Sequence, residues 1–167
     1  MDRWYVVHTQ PNAEAKALAH LRNQRFRTYL PRVAKRRRHA RKVEEIAAPL
    51  FPRYLFVRLD LAAERWRAIR STVGVADLVA HGDAPAPVPH GVVEAIRARE
   101  DERGLVVLGS AADFRQGDRV TIAEGALEGC VGLFEAATDD ERVIVLLELL
   151  GREVRVRVPP AALRATA

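Results

Sequence analysis

Seven of the eleven residues from Arg32 to Lys42, RVAKRRRHARK, are basic: Arg32, Lys35, Arg36, Arg37, Arg38, Arg41 and Lys42. Like charges at this density repel one another, and stripping them of water without counter-charges is too costly for burial. The chemistry they offer is contact with a polyanion; the alternative is a solvated loop that binds nothing. Residues 1–60 hold 14 Lys/Arg against 5 Asp/Glu, whereas residues 61–167 hold 13 against 17. That asymmetry points to an anionic partner for the N-terminal part alone, nucleic acid foremost, although acidic substrates or lipid headgroups also satisfy the charge.

Chemistry of the catalytic kind has no visible apparatus. The 5 histidines, His8, His20, His39, His81 and His90, lack neighbours at the spacing of metal ligands, and there is no GxGxxG or GxxxxGK[ST] loop. The single Cys130 excludes an internal disulfide and a CxxC zinc site. No catalytic residue, metal or cofactor is expected, and Glu44 and Glu45 read as a solvated edge.

A second kind of chemistry is apolar docking. Ala48 to Asp60, APLFPRYLFVRLD, has the densest aromatic cluster of the chain, Phe51, Tyr54 and Phe56, on a strand pattern that Pro49 and Pro52 confine to the residues after Pro52. With period two, Leu55, Val57 and Leu59 share one face, while Tyr54, Phe56 and Arg58 share the other. The first face meets the core. The second either carries its aromatics outward as a docking site or is buried as well, since aromatic rings carry so much core area.

The elements that must position these residues follow the same patterns. Trp4–Thr9 reads as a strand, Ala13–Arg25 as a helix with Ala17, Leu18 and Leu21 inward, and Phe26–Leu30 as a strand. Arg32–Lys42 is then a protruding loop or hairpin. A second helix is expected from Asp60, its cap, through Arg70, a strand over Val75–Ala80, and a third helix over Val92–Arg103 capped by Gly104. The order fits a ferredoxin-like α+β domain, helices on one face of an antiparallel sheet, over residues 1–104.

Residues 105–113 read as a linker. Beyond them Val120 and Ile122, Val131 and Leu133, Val143–Leu147, and Val154, Val156 and Val158 alternate between turn residues, which suggests a small all-β barrel over 114–167. No run is long and apolar enough for a membrane span and the N-terminus lacks a signal-peptide plan, so a cytoplasmic protein is expected; a monomer is expected as well.

PLFPRYLFV with the opening WYVVHT resembles the N-terminal (NGN) domain of the NusG family of transcription elongation factors, and within it the RfaH-like specialised paralogues. GDRVTIAEGALEGCVGLF resembles the SH3-like KOW module that follows in that family, and the two occur in the family's order. The resemblance implies a factor that docks on the clamp helices of the large RNA polymerase subunit and suppresses pausing. Tyr54, Phe56 and Phe51 would supply the docking cavity, and Arg70, Ser71 and Thr72 the contact with the opposite jaw. The basic arm would lie on upstream or non-template DNA. Ala126 and Leu127 match in position the KOW loop that recruits Rho or a small-subunit ribosomal protein. KOW modules also occur in ribosomal and structural RNA-binding proteins, but residues 113–167 hold 7 Lys/Arg and 10 Asp/Glu, a poor balance for an RNA ligand.

Some RfaH-like proteins hold the C-terminal region as a helical hairpin over the polymerase site. DDERVIVLLELL, with Asp140 as cap and Val143, Leu146, Leu147 and Leu150 at helical spacing, allows it. Gly125, Gly129 and Gly132 would each cost about 1 kcal/mol inside such a helix. The expectation is therefore a resting barrel on a flexible linker, with the docking site open.

Overall fold

The computed structural model describes residues 1–108, 133–134, 136 and 138–151. Its elements in chain order are β1 (Arg3–Thr9), α1 (Glu14–Asn23), β2 (Arg27–Tyr29), β3 (Arg32–His39), β4 (Lys42–Pro49), β5 (Tyr54–Leu59), a 3-10 helix (Trp66–Ser71), β6 (Val75–Leu78), β7 (Ala80–His81), β8 (Ala84–Pro85), α2 (Val92–Arg97) and α3 (Asp139–Leu149). The main sheet is antiparallel with order β2-β5-β1-β6, which places β5 at its centre as its apolar pattern predicts. Val6 stands opposite Phe56 and Val7 opposite Leu55.

Because side chains alternate along a strand, this register sorts the sheet into two apolar faces. Tyr5, Val7, Leu55, Val57 and Leu59 join Ala17, Leu18 and Leu21 of α1 and Trp66 and Ile69 of the 3-10 helix. Trp4, Val6, Tyr29 and Phe56 join Val92, Val93 and Ile96 of α2, Leu146 of α3 and Leu150 just beyond it. The fold is α+β as expected, but helices cover both faces of the sheet, not one. The reason lies in β1 and β5, where neither alternate set is polar, so each face requires its own cover.

Three element boundaries differ from the sequence reading. Asp60 caps only a turn, its Oδ1 accepting from the Ala62 amide at 3.0 Å, and the expected second helix is the short 3-10 segment. Side chains three apart eclipse in that geometry, which lets Trp66 and Ile69 reach the same core. The third helix stops at Arg97; Glu100 then bridges to Val106, and Asp101 Oδ1 accepts from the Arg103 and Leu105 amides at 2.8 and 3.1 Å. Gly104, at φ 74°, serves that turn and caps no helix. Residues 105–108 consequently belong to the folded body and not to a linker, with Val106 buried and its amide donating to the Arg32 carbonyl at 2.7 Å.

The largest correction concerns the C-terminal part. Val143–Leu147, expected as a barrel strand, lies within α3, and Leu133 is also helical. Thr138, not Asp140, is the N-cap: its Oγ1 accepts from the Glu141 amide at 3.2 Å, and its own amide donates to Glu141 Oε2 at 3.3 Å. The remaining expected barrel strands, the linker residues 109–113, and Ala126 and Leu127 lie outside the described residues.

Candidate docking face and basic hairpin

Phe51, Tyr54 and Phe56 lie together, on the face away from α1, as the strand pattern implies. Their exposure does not follow the expectation. Phe51 and Phe56 are fully buried, packed edge to face with centroids 5.9 Å apart, and Tyr29 stacks on Phe56 at 6.2 Å. Tyr54 is half-buried and stacks on His8 at 4.8 Å. Leu133, Phe134, Leu146 and Leu150 belong to the same apolar cluster, with Val143, Val145 and Leu149 at its margin. The face is therefore covered in this structure by the C-terminal segment, and the expected open resting state is overturned.

The cover is a helix because burial outweighs local preference. Each large apolar side chain removed from water contributes about 1.5–3 kcal/mol, so Leu133, Phe134, Leu146 and Leu150 together contribute about 6–12 kcal/mol before ordering costs. β-branched residues in a helix lose only tenths of a kcal/mol each. The capping box adds about 1 kcal/mol to the helical form.

Polar contacts fix where α3 sits. Arg142 is 4% exposed, and its Nε donates to the Leu50 carbonyl at 3.0 Å while Nη2 pairs with Asp139. Burial pulls the Arg142 pKa below the usual guanidinium value, and Asp139 and Glu141 oppose that pull. The other oxygen of Asp139 accepts from Lys35 Nζ at 2.5 Å, joining the basic hairpin to α3. At the far end His81 Nε2 donates to the Leu150 carbonyl at 2.6 Å. Arg99 lies 4.3 Å over the Phe134 ring.

The sequence reading takes Asp139 only as a turn residue beside Asp140 and gives Arg142 no anchoring role. Two signals were available: a lone arginine inside an apolar run of helical period, and the Thr-Asp-Asp-Glu capping signature immediately before it.

The basic arm is a two-stranded hairpin, β3 with β4, in which His39 pairs with Lys42 across Ala40 and Arg41. Both turn residues have positive φ, 48° and 68°, the conformation of a two-residue hairpin turn whose twist suits the strands. From Lys35 to Lys42 every residue is exposed, and Arg36, Arg37 and Arg38 face solvent as their charge requires. Glu44 and Glu45 are exposed, as a solvated edge is, and Glu45 pairs there with Arg103.

The third group of candidates separates. Arg70 and Ser71 are exposed at the end of the 3-10 helix, Arg70 pairing with Asp77 at 3.2 Å. Thr72 is buried, its Oγ1 donating to the Ala68 carbonyl at 2.9 Å and accepting from Gln24 Nε2 at 2.8 Å. Its hydroxyl is engaged within the fold.

Among the described residues no group of three or more His, Cys, Asp or Glu is placed to hold a metal ion. No described helix is long and apolar enough to cross a membrane.

A family model described as "Transcription termination factor nusG" matches residues 2–97. The "Transcription termination/antitermination protein NusG" of Thermus thermophilus is 30% identical, over 93% of this chain and 94% of its own length. The protein of the same name from Streptomyces virginiae is 27% identical over 93% of this chain, which spans 60% of that longer relative. That of Chlamydia trachomatis is 32% identical over 64% of this chain and 58% of its own.

Proposed function

Since the chain belongs to the NusG family, whose curated relatives are named transcription termination/antitermination proteins, we propose that it is an elongation and antitermination factor of the RfaH-like branch, held here in a masked state. The observation that carries this reading is α3 lying in one apolar cluster with Phe51 and Phe56, on the face where the family resemblance puts polymerase docking. A simple permanently open factor has no use for a capped, arginine-anchored helix over its docking rings.

In this reading the docking site on residues 1–104 receives the clamp helices of the large polymerase subunit once α3 has left, with Phe51, Tyr54 and Phe56 as aromatic anchors. Arg70 and Ser71 reach the opposite jaw; Thr72 supports them from within. The hairpin from Arg32 to Lys42 holds upstream or non-template DNA through phosphate contacts. Residues 114–167 then form the KOW barrel, which recruits Rho or a small-subunit ribosomal protein through Ala126 and Leu127.

The test compares binding of a clamp-helix coiled coil to the wild type and to Leu146→Glu, whose carboxylate α3 cannot bury. The variant should bind at least tenfold more tightly, and Tyr54→Ala in that background should remove most of the gain. Phe56→Ala is a poor probe, because truncating a fully buried ring costs about 3–5 kcal/mol of fold stability. Equal binding by wild type and Leu146→Glu would refute the masked state.

A further inference from the structure

Five side chains meet at one end of the sheet face on which α2 lies. Trp4 of β1 stands opposite Arg58 of β5, which stands opposite Arg27 of β2, so alternation puts all three on that face, with Tyr29 two residues further along β2. Arg97, the last residue of α2, reaches over them. Its Cζ lies 4.5 Å from the Tyr29 ring centroid and 5.2 Å from that of Trp4, and Arg58 Cζ lies 5.9 Å from Trp4. Tyr54, in register with His8, marks the other end of the face, four residues along β1 and about 13 Å away.

This end of the face has donors in excess. Trp4 is 9% exposed, and its Nε1 and the Nε of Arg58 are buried without a hydrogen-bond partner among the described residues. Buried donors almost always have acceptors, and two orphans on cross-strand neighbours call for one. Arg97 is exposed and makes no side-chain hydrogen bond or ion pair among the described residues. A guanidinium stacked on rings uses its faces and keeps its N–H edge, the edge that grips an oxyanion with two parallel bonds.

Nearby carboxylates do not meet that demand. Glu100 accepts from the Tyr29 hydroxyl. Among the described residues only Asp2 pairs with the row, its Oδ2 3.5 Å from Arg27 Nη1 and 3.8 Å from Arg58 Nε, the latter beyond hydrogen-bond length.

We propose that this end of the sheet is a docking site for a carboxylate carried by an acidic segment of a partner protein. The carboxylate oxygens accept from the N–H edge of Arg97. The Arg58 side chain, 40% exposed, swings aside so that the Trp4 indole N–H donates to the same group, and Arg27 adds positive charge at the rim. Asp2 shows the chemistry from within the chain: it is a loosely held carboxylate that the partner's carboxylate displaces. A nucleic-acid strand is the poorer match, because guanidinium groups already lie over the two rings on which a base would stack. None of these residues belongs to the hairpin or to the trio Phe51, Tyr54 and Phe56, so this site and the polymerase-docking reading can fail separately.

The experiment titrates the full chain with hexaglutamate and follows the indole Nε1–H and arginine Nε–H signals. Trp66, the other of the chain's two tryptophans, also lies under two arginines, Arg67 at 4.5 Å and Arg70 at 5.9 Å, and is the internal control. A saturable downfield shift of Trp4 Nε1–H is expected together with shifts of Arg58 and Arg97 Nε–H, with Trp66 unmoved. Arg97→Lys, at an exposed position, keeps the charge but loses the planar fork and should weaken binding at least tenfold. Asp2→Asn removes the internal competitor and should tighten it about threefold. Trp4→Phe keeps a ring beneath Arg97 without the donor and should weaken binding about fivefold; if that variant does not fold, Arg97→Lys decides. Octathymidylate at saturation should neither move the Trp4 signal nor lower the affinity for hexaglutamate read there. No saturable shift at Trp4, binding indifferent to Arg97→Lys, or an equal Trp4 shift with octathymidylate would overturn the proposal, the last in favour of a phosphate-binding surface.

Discussion

Replacing Arg142 with alanine should release α3. The side chain is 4% exposed, and its Nε bond to the Leu50 carbonyl, 3.0 Å long, is made by a charged donor inside the protein. Hydrogen bonds to charged groups contribute about 1.5–3 kcal/mol, and the substitution also leaves that carbonyl without this donor. Lys35 offers little compensation, because its pair with Asp139 is half in solvent, at 52% and 26% exposure, and pairs of that kind contribute about 0–1 kcal/mol. The equilibrium between docked and released α3 should therefore move by about 1.5–3 kcal/mol, a factor of about 10 to 150. Apparent affinity for a partner of a masked site scales with the competent fraction, so binding of a clamp-helix coiled coil should tighten by the same factor until the released form dominates. Amide exchange over Val143–Leu147 should accelerate in parallel. Arg142→Met is the informative control: it retains an apolar stem and removes a charge whose burial is itself costly, so it should open the molecule less than alanine does. Exchange and affinity both within twofold of the wild type in Arg142→Ala would refute the locking role of this residue.

Thr138→Ala removes the capping box and should weaken α3 by about 1 kcal/mol, read as roughly fivefold faster exchange in its first turn with β5 unaffected. Lys35→Ala should leave α3 docked, with exchange there changed less than about threefold, since the exposed pair contributes so little. Arg36, Arg37 and Arg38 replaced together by alanine should flatten the salt dependence of single-strand binding, whose log-log slope is expected at about −3 to −4 if about 4–6 phosphates are neutralised; an unchanged slope would make the hairpin a mere solvated arm. Gly74→Ala should destabilise the N-terminal body by about 1–3 kcal/mol in thermal unfolding, because Gly74 has φ +87° and an added Cβ would stand 3.0 Å from the Ala17 backbone nitrogen.

What the sequence made legible is what is decided locally or by a single pattern. β1, α1, β5 and the basic hairpin each satisfy one template, period two, period 3.6 or unburiable charge, and each forms about where that template puts it. The helices after Asp60 and Val92 were over-extended because Asp60 and Asp101 satisfy backbone amides in turns as readily as at helix ends. The hairpin turn has no glycine or asparagine; Ala40 and Arg41 adopt positive φ because the ladder on either side of them dictates it. The motif groups Phe51, Tyr54 and Phe56 on one side of the sheet, but their exposure depends on a distant segment, as the contact between Leu50 and Arg142, 92 positions apart, shows. No periodicity within β5 carries that information.

The C-terminal segment is the case in which pattern reading divides against itself. In DDERVIVLLELL the residues Val143, Val145 and Leu147 alternate as a strand should, while Val143, Leu146, Leu147 and Leu150 recur as a helix should. Propensity cannot arbitrate, because helix and strand preferences of Val, Ile and Leu differ by less than about 1 kcal/mol per residue. Packing can, since each buried leucine contributes about 1.5–3 kcal/mol to whichever form buries it. Against a sheet face that presents Phe51 and Phe56, the helical form buries Leu146 and Leu150 and brings Arg142 to the Leu50 carbonyl. A segment that fits two templates equally well takes its structure from the surface it rests on. On the proposed masked state, a ligand competing for that surface should act on the secondary structure of the segment as well as on its position, and circular dichroism or amide shifts of residues 139–149 should follow its binding; an unchanged helix in the bound form would refute this.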